Sequence, residues 1–275
     1  MKKELTHISL CTGYGGIDIG LKRTGMDVRS ICYVEIEAFA IANLISKMEK
    51  DLLDPAPIWT DLKTMPWETF KGKVDILSGG FPCQPFSQAG QRNADDDPRH
   101  LWPHIVKGIK RLDYPPILFF ENVEGIVNAK LKGEDWSDPQ GTPVLLHVLR
   151  EMERMGYNAT AGIYSAKEVG APHQRKRVFI LGVLDCVDRN QIDEFTKMFE
   201  SEFEITTAYP AGRGEEQFDW EPPRVIYENS TAHSDLSELK VSCDSRTDEL
   251  RLLGNGVVPD TCCVAFRDLW KELFL

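Results

Sequence analysis

Cys83 lies between two prolines, in Gly79-Gly80-Phe81-Pro82-Cys83-Gln84-Pro85-Phe86-Ser87. Each proline fixes φ and removes a backbone donor, so neither helix nor sheet continues through this stretch. Just upstream, Val74-Asp75-Ile76-Leu77 reads as a short buried strand. The thiol therefore leaves a strand end on a stiff loop, where open α/β sheets place their chemistry. Alone, a free cysteine is more often a small hydrophobe than a nucleophile. Its companions change that balance. Thiolate is the reactive form, and neighbouring cations favour it. Arg175-Lys176-Arg177 supplies three cations directly before the apolar run 178–184. Three carboxylates also end strand-like runs: Glu35 after 28–34, Asp61 after 57–60 and Glu121 after 117–120. In a parallel sheet all three share one edge with Cys83.

The elements that must hold these groups alternate between strand and helix. Residues 6–11 form an apolar strand ending at Leu10 and Cys11, followed by Thr12-Gly13-Tyr14-Gly15-Gly16 and a helical pattern from Ile17. Strand, glycine turn and helix open a nucleotide-type βα unit, in which the helix N-terminus offers N–H groups to an anionic ligand. Taken alone, the turn has an equally good plain structural reading. Glu35 lies 19 positions beyond Gly16, near the ~20-residue spacing of a carboxylate that accepts ribose hydroxyls. It would equally serve as a first-turn charge for the helix expected from about Ile36 to Met48. Asp61, followed by Leu62, could accept from an adenine amino group or cap a turn. The 13 residues 87–99 have no periodicity, which suits a lid. Helices are expected at about 100–113 and 144–155, with strands at 117–120, 157–164 and 178–184. Residues 185–245 begin acidic and helical, then become irregular. After Gly254-Asn255-Gly256-Val257-Val258-Pro259, an apolar stripe of Val264, Phe266, Leu269, Trp270 and Leu273 marks a C-terminal helix.

Bulk properties narrow the class. With 275 residues, 42% hydrophobic and 27% charged, the chain has the composition of a globular protein. No apolar run approaches the ~20 residues of a membrane span, and the start carries no secretory signal pattern. The seven cysteines form no Cys-x-x-Cys pair or zinc-type cluster, so no metal site is expected and free thiols in a cytoplasm are the simplest reading. The net charge of −11 argues against a surface that binds nucleic acid all over, while leaving room for a local basic cleft.

In order and spacing, Gly13-Tyr14-Gly15-Gly16, Glu35, Asp61, Phe81-Pro82-Cys83-Gln84-Pro85, Glu121-Asn122-Val123, Arg175-Lys176-Arg177 and Gly254-Asn255-Gly256-Val257-Val258-Pro259 resemble the DNA (cytosine-5)-methyltransferase family, over residues 6–184 and 246–275. The compact Arg-Thr-Asp-x-Leu-Arg at 246–251 is similar to small phage-type or prophage-type members. The resemblance implies an α/β fold: a doubly wound, mostly parallel, Rossmann-like sheet. Residues 1–184 plus 246–275 would form the catalytic domain, and 185–245 a small target-recognition region. It implies S-adenosyl-L-methionine as cofactor and S-adenosyl-L-homocysteine as product. Leu10, Cys11, Gly13, Tyr14, Gly15 and Gly16 would hold the methionine part, Glu35 and Ile36 the ribose side, and Asp61 and Leu62 the adenine. Asn255 and Val257 would brace that site. Cys83 would be the nucleophile, Glu121 would grip a flipped-out cytosine, and Arg175 and Arg177 would hold the base and its phosphate side. Double-stranded DNA is the implied partner, with a cognate restriction endonuclease left open and a monomer expected. A tRNA cytosine-5 methyltransferase and a catalytically idle nucleic-acid-binding paralogue are the alternatives. This sequence departs from the family at Cys11, where an aromatic is usual, at His173, where glutamine is usual, and in the shortness and acidity of 185–245.

Overall fold

The computed structural model describes residues 4–82, 101–130, 141–200, 205, 207–212, 218–219, 254 and 256–275. Cys83, Asn255 and the expected lid at 87–99 lie outside them. Seven strands form one sheet: β1 (Leu5–Leu10), β2 (Val28–Val34), β3 (Ile58–Trp59), β4 (Ile76–Gly80), β5 (Ile117–Val123), β6 (Tyr157–Ser165) and β7 (Lys176–Leu184). Their order is β3-β2-β1-β4-β5-β7-β6. Pairing is parallel from β3 across to β5, whereas β7 runs antiparallel to both β5 and β6. The chain winds outward from β1 to β3, then returns to β4 on the other side of β1. The crevice beyond the C-terminal ends of β1 and β4 is therefore the topological switch point.

The helices are α1 (Gly16–Arg23), α2 (Ala38–Glu49), α3 (Trp102–Arg111), α4 (Val144–Arg154), α5 (Arg189–Glu200) and α6 (Pro259–Phe274). The central strands are buried on both faces, so they read as near-continuous apolar runs. On one face, Leu10, Val34, Leu77, Leu118 and Phe120 pack with Ile105 and Ile109 of α3 and Val148 and Met152 of α4. On the other, Ile76, Ile117, Phe119 and Leu181 pack with Leu21 of α1 and Phe266, Leu269 and Trp270 of α6. A buried polar cluster lies under α1: His7 meets Ser30 at 2.9 Å and Ser78 at 2.7 Å, and Asp18 accepts from Ser9 and Ser30. These bonds tie the first turn of α1 to β1, β2 and β4.

One expectation changes. The strand expected through Asp61 is only Ile58–Trp59, because Asp61 accepts the Lys63 N–H at 2.9 Å and starts a 3-10 turn, Leu62–Thr64. The first helix of the region 185–245, α5, packs on α6. Ile192 and Phe199 of α5 are buried in the same cluster as Phe266 and Trp270. Trp270 Nε1 donates to Thr196 Oγ1 at 3.1 Å, and Arg267 Nη2 donates to the Phe199 carbonyl at 3.1 Å. The 192, 195, 196, 199 spacing puts one stripe of α5 inward.

Candidate active site

One side of the crevice is built by β1, β2 and β3. Backbone torsions turn left-handed at Cys11 (φ 47°), Gly13 (φ 58°) and Gly15 (φ 81°), bringing the chain from β1 into α1. A β-carbon placed on Gly13 would meet nothing within 4 Å, so open space lies over the turn. Beside it, Glu35 follows β2 and is 7% exposed. Its Oε2 accepts the Gly13 N–H at 2.7 Å and its Oε1 the Glu37 N–H at 2.8 Å. The carboxylate is thus fixed by two backbone donors next to the open turn. The next residue, Ile36, is 72% exposed, an uncovered apolar surface beside a polar anchor. Leu62 is buried in the core, and Val257 is buried against α1. Burial, then Glu35, pushes the Cys11 thiol up to about 12, so it is no reactive thiol. Trp59, which sequence reasoning passed over, is 39% exposed two residues before Asp61, its Nε1 donating to Thr64 Oγ1 at 3.2 Å. The signal was an aromatic residue on the strand leading to that carboxylate.

The other side is built by β4, β5 and β7. Gly80 pairs with Glu121 across β4 and β5, and a β-carbon on Gly80 would lie 2.9 Å from Glu121 Oε2. Only a glycine leaves the carboxyl room there. Asn122, buried, donates from Nδ2 to the Phe81 carbonyl at 2.9 Å. The Phe81 ring packs on Trp102 and Phe120 at centroid distances of 5.4 and 5.9 Å. The chain therefore leaves β4 from a fixed platform two residues before Cys83. Asn122 belongs to the Glu121-Asn122-Val123 motif, but its donor role is not readable from spacing.

Glu121 is 6% exposed. Because β7 is antiparallel, its first residues arrive at the end of β5, with Arg177 opposite Val123. Arg177 Nε meets Glu121 Oε1 at 2.8 Å. Burial pushes the Glu121 carboxyl up to about 7 even though Arg177 and Arg175 pull the other way. A carboxyl poised there can carry or release a proton near neutral pH. Arg175 points elsewhere: its Nη2 donates to the carbonyls of Gly254, at 2.7 Å, and Gly256. Lys176 meets Glu124 at 3.6 Å on the surface. The structure thus gathers Glu35, Glu121, Arg175 and Arg177 around one sheet edge, with Asp61 at its far end.

The family model for C-5 cytosine-specific DNA methylases matches residues 5–257. The chain belongs to this family. The type II methyltransferase M.NgoMIV of Neisseria gonorrhoeae is 28% identical over 217 residues, 78% of this chain and 61% of that protein. M.NlaX of Neisseria lactamica is 30% identical over 178 residues, 65% of this chain and 52% of that one. The chain therefore spans between about half and three fifths of the length of these relatives. The fold is similar to that of the Dnmt2 methyltransferase of S. pombe, with a TM-score of 0.53, 22% identity, and coverage of 74% of this chain and 59% of that one. Among the described residues, no helix of this methylase-family chain is long and apolar enough to cross a membrane.

Proposed function

We propose that this chain transfers a methyl group from S-adenosyl-L-methionine to carbon 5 of cytosine in specific sequences of double-stranded DNA. The observation that carries the reading is the buried Glu121, paired with the half-buried Arg177, beside the platform that leads to Cys83. The cofactor side fits its ligand: a carboxylate held by Gly13 and Glu37, an open glycine turn and the uncovered Ile36 suit ribose hydroxyls, a carboxylate-bearing chain and an apolar ring. When bound, S-adenosyl-L-methionine supplies an electrophilic methyl group.

The chain's own residues would do the rest. Cys83, as thiolate, adds to carbon 6 of a base flipped out of the duplex, and the displaced electron pair makes carbon 5 nucleophilic. Glu121, sharing its proton with the ring nitrogen, offsets the charge that develops. Arg177 orients Glu121 and, with the positive edge of β7, favours the thiolate. Loss of the carbon 5 proton restores the ring and releases the thiolate. Target reading falls to the part of 185–245 beyond α5. There Tyr209 donates to Asp260 at 2.7 Å and Arg23 donates to Thr207 at 3.1 Å, anchoring the segment to α1 and α6. A monomer working in the cytoplasm completes the proposal.

Bisulfite sequencing of DNA from cells expressing the chain tests it. Cytosines protected in one sequence context are the expected result. Fully converted DNA, in cells holding folded protein, would overturn the reading.

A further inference from the structure

We propose that Tyr14 and Gly256 are a matched pair that seats the C-terminal segment on the cofactor turn, with Arg175 strapping it from the other side. The proposal rests on the cofactor assignment above and names residues that position it. Tyr14 stands in the glycine turn, and its phenol donates to the Val257 carbonyl. A β-carbon on Gly256 would lie 1.5 Å from Tyr14 Cε1 and 2.3 Å from Cδ1. The ring therefore lies directly against the 256 backbone, and no side chain fits there while Tyr14 stays. The two backbones also touch, since a β-carbon on Gly16 would lie 2.1 Å from the Val257 carbonyl oxygen.

Tyr14 cannot easily move aside. The Lys47 ammonium sits 4.7 Å from the Tyr14 ring centroid and donates to the Tyr14 carbonyl. Burial pushes the phenol up to about 12, so it remains a donor at working pH. From the opposite side, Arg175 donates to the carbonyls of both Gly254 and Gly256, and Arg177 Nη2 reaches Gly254 O at 3.3 Å. The segment is thus held between a residue of the cofactor turn and the arginines beside Glu121. Seating it joins the two sides of the crevice, and the identity of residue 14 dictates that of residue 256. In this chain a larger residue at 256 demands a smaller one at 14.

Five proteins test the pair: the parent chain, Gly256→Ser, Tyr14→Leu, Tyr14→Phe, and the double variant Gly256→Ser with Tyr14→Leu. For each, S-adenosyl-L-homocysteine affinity is measured by calorimetry, thermal unfolding is recorded, and KM for S-adenosyl-L-methionine and kcat are measured on DNA. Gly256→Ser should weaken binding by about thirtyfold or more and raise KM far more than it lowers kcat. Adding Tyr14→Leu should recover about tenfold of that loss. Tyr14→Phe, which keeps the ring, should weaken binding about three- to tenfold, as loss of one hydrogen bond does. Unchanged binding in Gly256→Ser, or a double variant no better than Gly256→Ser, would overturn the pairing. If Gly256→Ser does not fold, the double variant decides: folding and binding support the pair, and failure of both overturns it. Failure of the parent chain to bind S-adenosyl-L-homocysteine would overturn the cofactor assignment instead.

Discussion

Two buried carboxylates end strands at the same sheet edge, and the chain treats them differently. Glu35 is held by neutral donors, the N–H groups of Gly13 and Glu37, in a stretch where the backbone turns tightly. Glu121 is held by a guanidinium and by burial, and burial prevails, leaving its carboxyl at about 7. The first arrangement fixes an acceptor in place. The second keeps a proton within reach and can give it up. What separates them is the neighbouring strand. A parallel neighbour brings backbone to Glu35, while antiparallel β7 delivers the start of a strand, with its arginines, to Glu121. One reversed strand is enough to place a carboxylate held by backbone donors and a carboxylate held by a guanidinium on a single edge.

If the two sides divide the work in this way, variants should separate them. Cys83→Ala has the largest expected effect: methyl transfer is abolished while S-adenosyl-L-homocysteine binding survives, and any retained turnover would end the covalent reading. Glu121→Gln should lower kcat by about 10²-fold or more, the usual cost of a lost transition-state donor, with cofactor affinity intact. Glu35→Ala should do the opposite. Losing an acceptor of charge-assisted hydrogen bonds should raise KM for S-adenosyl-L-methionine by about ten- to a hundredfold and leave kcat nearly unchanged. A large fall in kcat would show that the halves are not separable.

The pH dependence sharpens the contrast. The folded state binds the Glu121 proton more tightly than the unfolded chain does, its carboxyl lying at about 7 against an ordinary 4.5. The stability this provides is fully present below about pH 4.5 and is lost as pH rises to about 7 and above. Chemical denaturation of the parent chain should therefore lose about 3 kcal/mol relative to Glu121→Gln across that window. A constant difference would show that burial does not perturb the group. The smallest effect concerns DNA. With a net charge of −11, contact should be confined to about three or four phosphates, giving a log–log salt slope near −3. A much steeper slope would place far more positive surface against DNA than this sheet edge offers.

The sheet was largely legible in the sequence, because buried parallel strands read as apolar runs such as Ile117-Leu118-Phe119-Phe120, and helices carry their periodicity openly. The ends of those strands pointed to Glu35, Asp61 and Glu121. The reversal of β7 was not legible, since a buried strand looks the same in either direction. Nor was the partner of Arg175 legible: a run of cations gives no hint that one reaches the carbonyls of Gly254 and Gly256. The helical spacing of α5 was visible, yet its acidic surface made it look like part of a loose region. Its buried stripe of Ile192, Thr196 and Phe199 finds α6 only once the fold is assembled. The Gly80 clearance beside Glu121 and the Tyr14–Gly256 contact are close approaches between distant stretches, which no local pattern records.

That distance has a kinetic meaning. Tyr14 bonds residue 257, Arg23 pairs with Asp260, and Arg267 reaches the Thr24 carbonyl, each contact closing a loop of nearly the whole chain. Contacts of such sequence separation are among the slowest to form. Seating residues 256–257 on the glycine turn is thus expected among the late steps of folding.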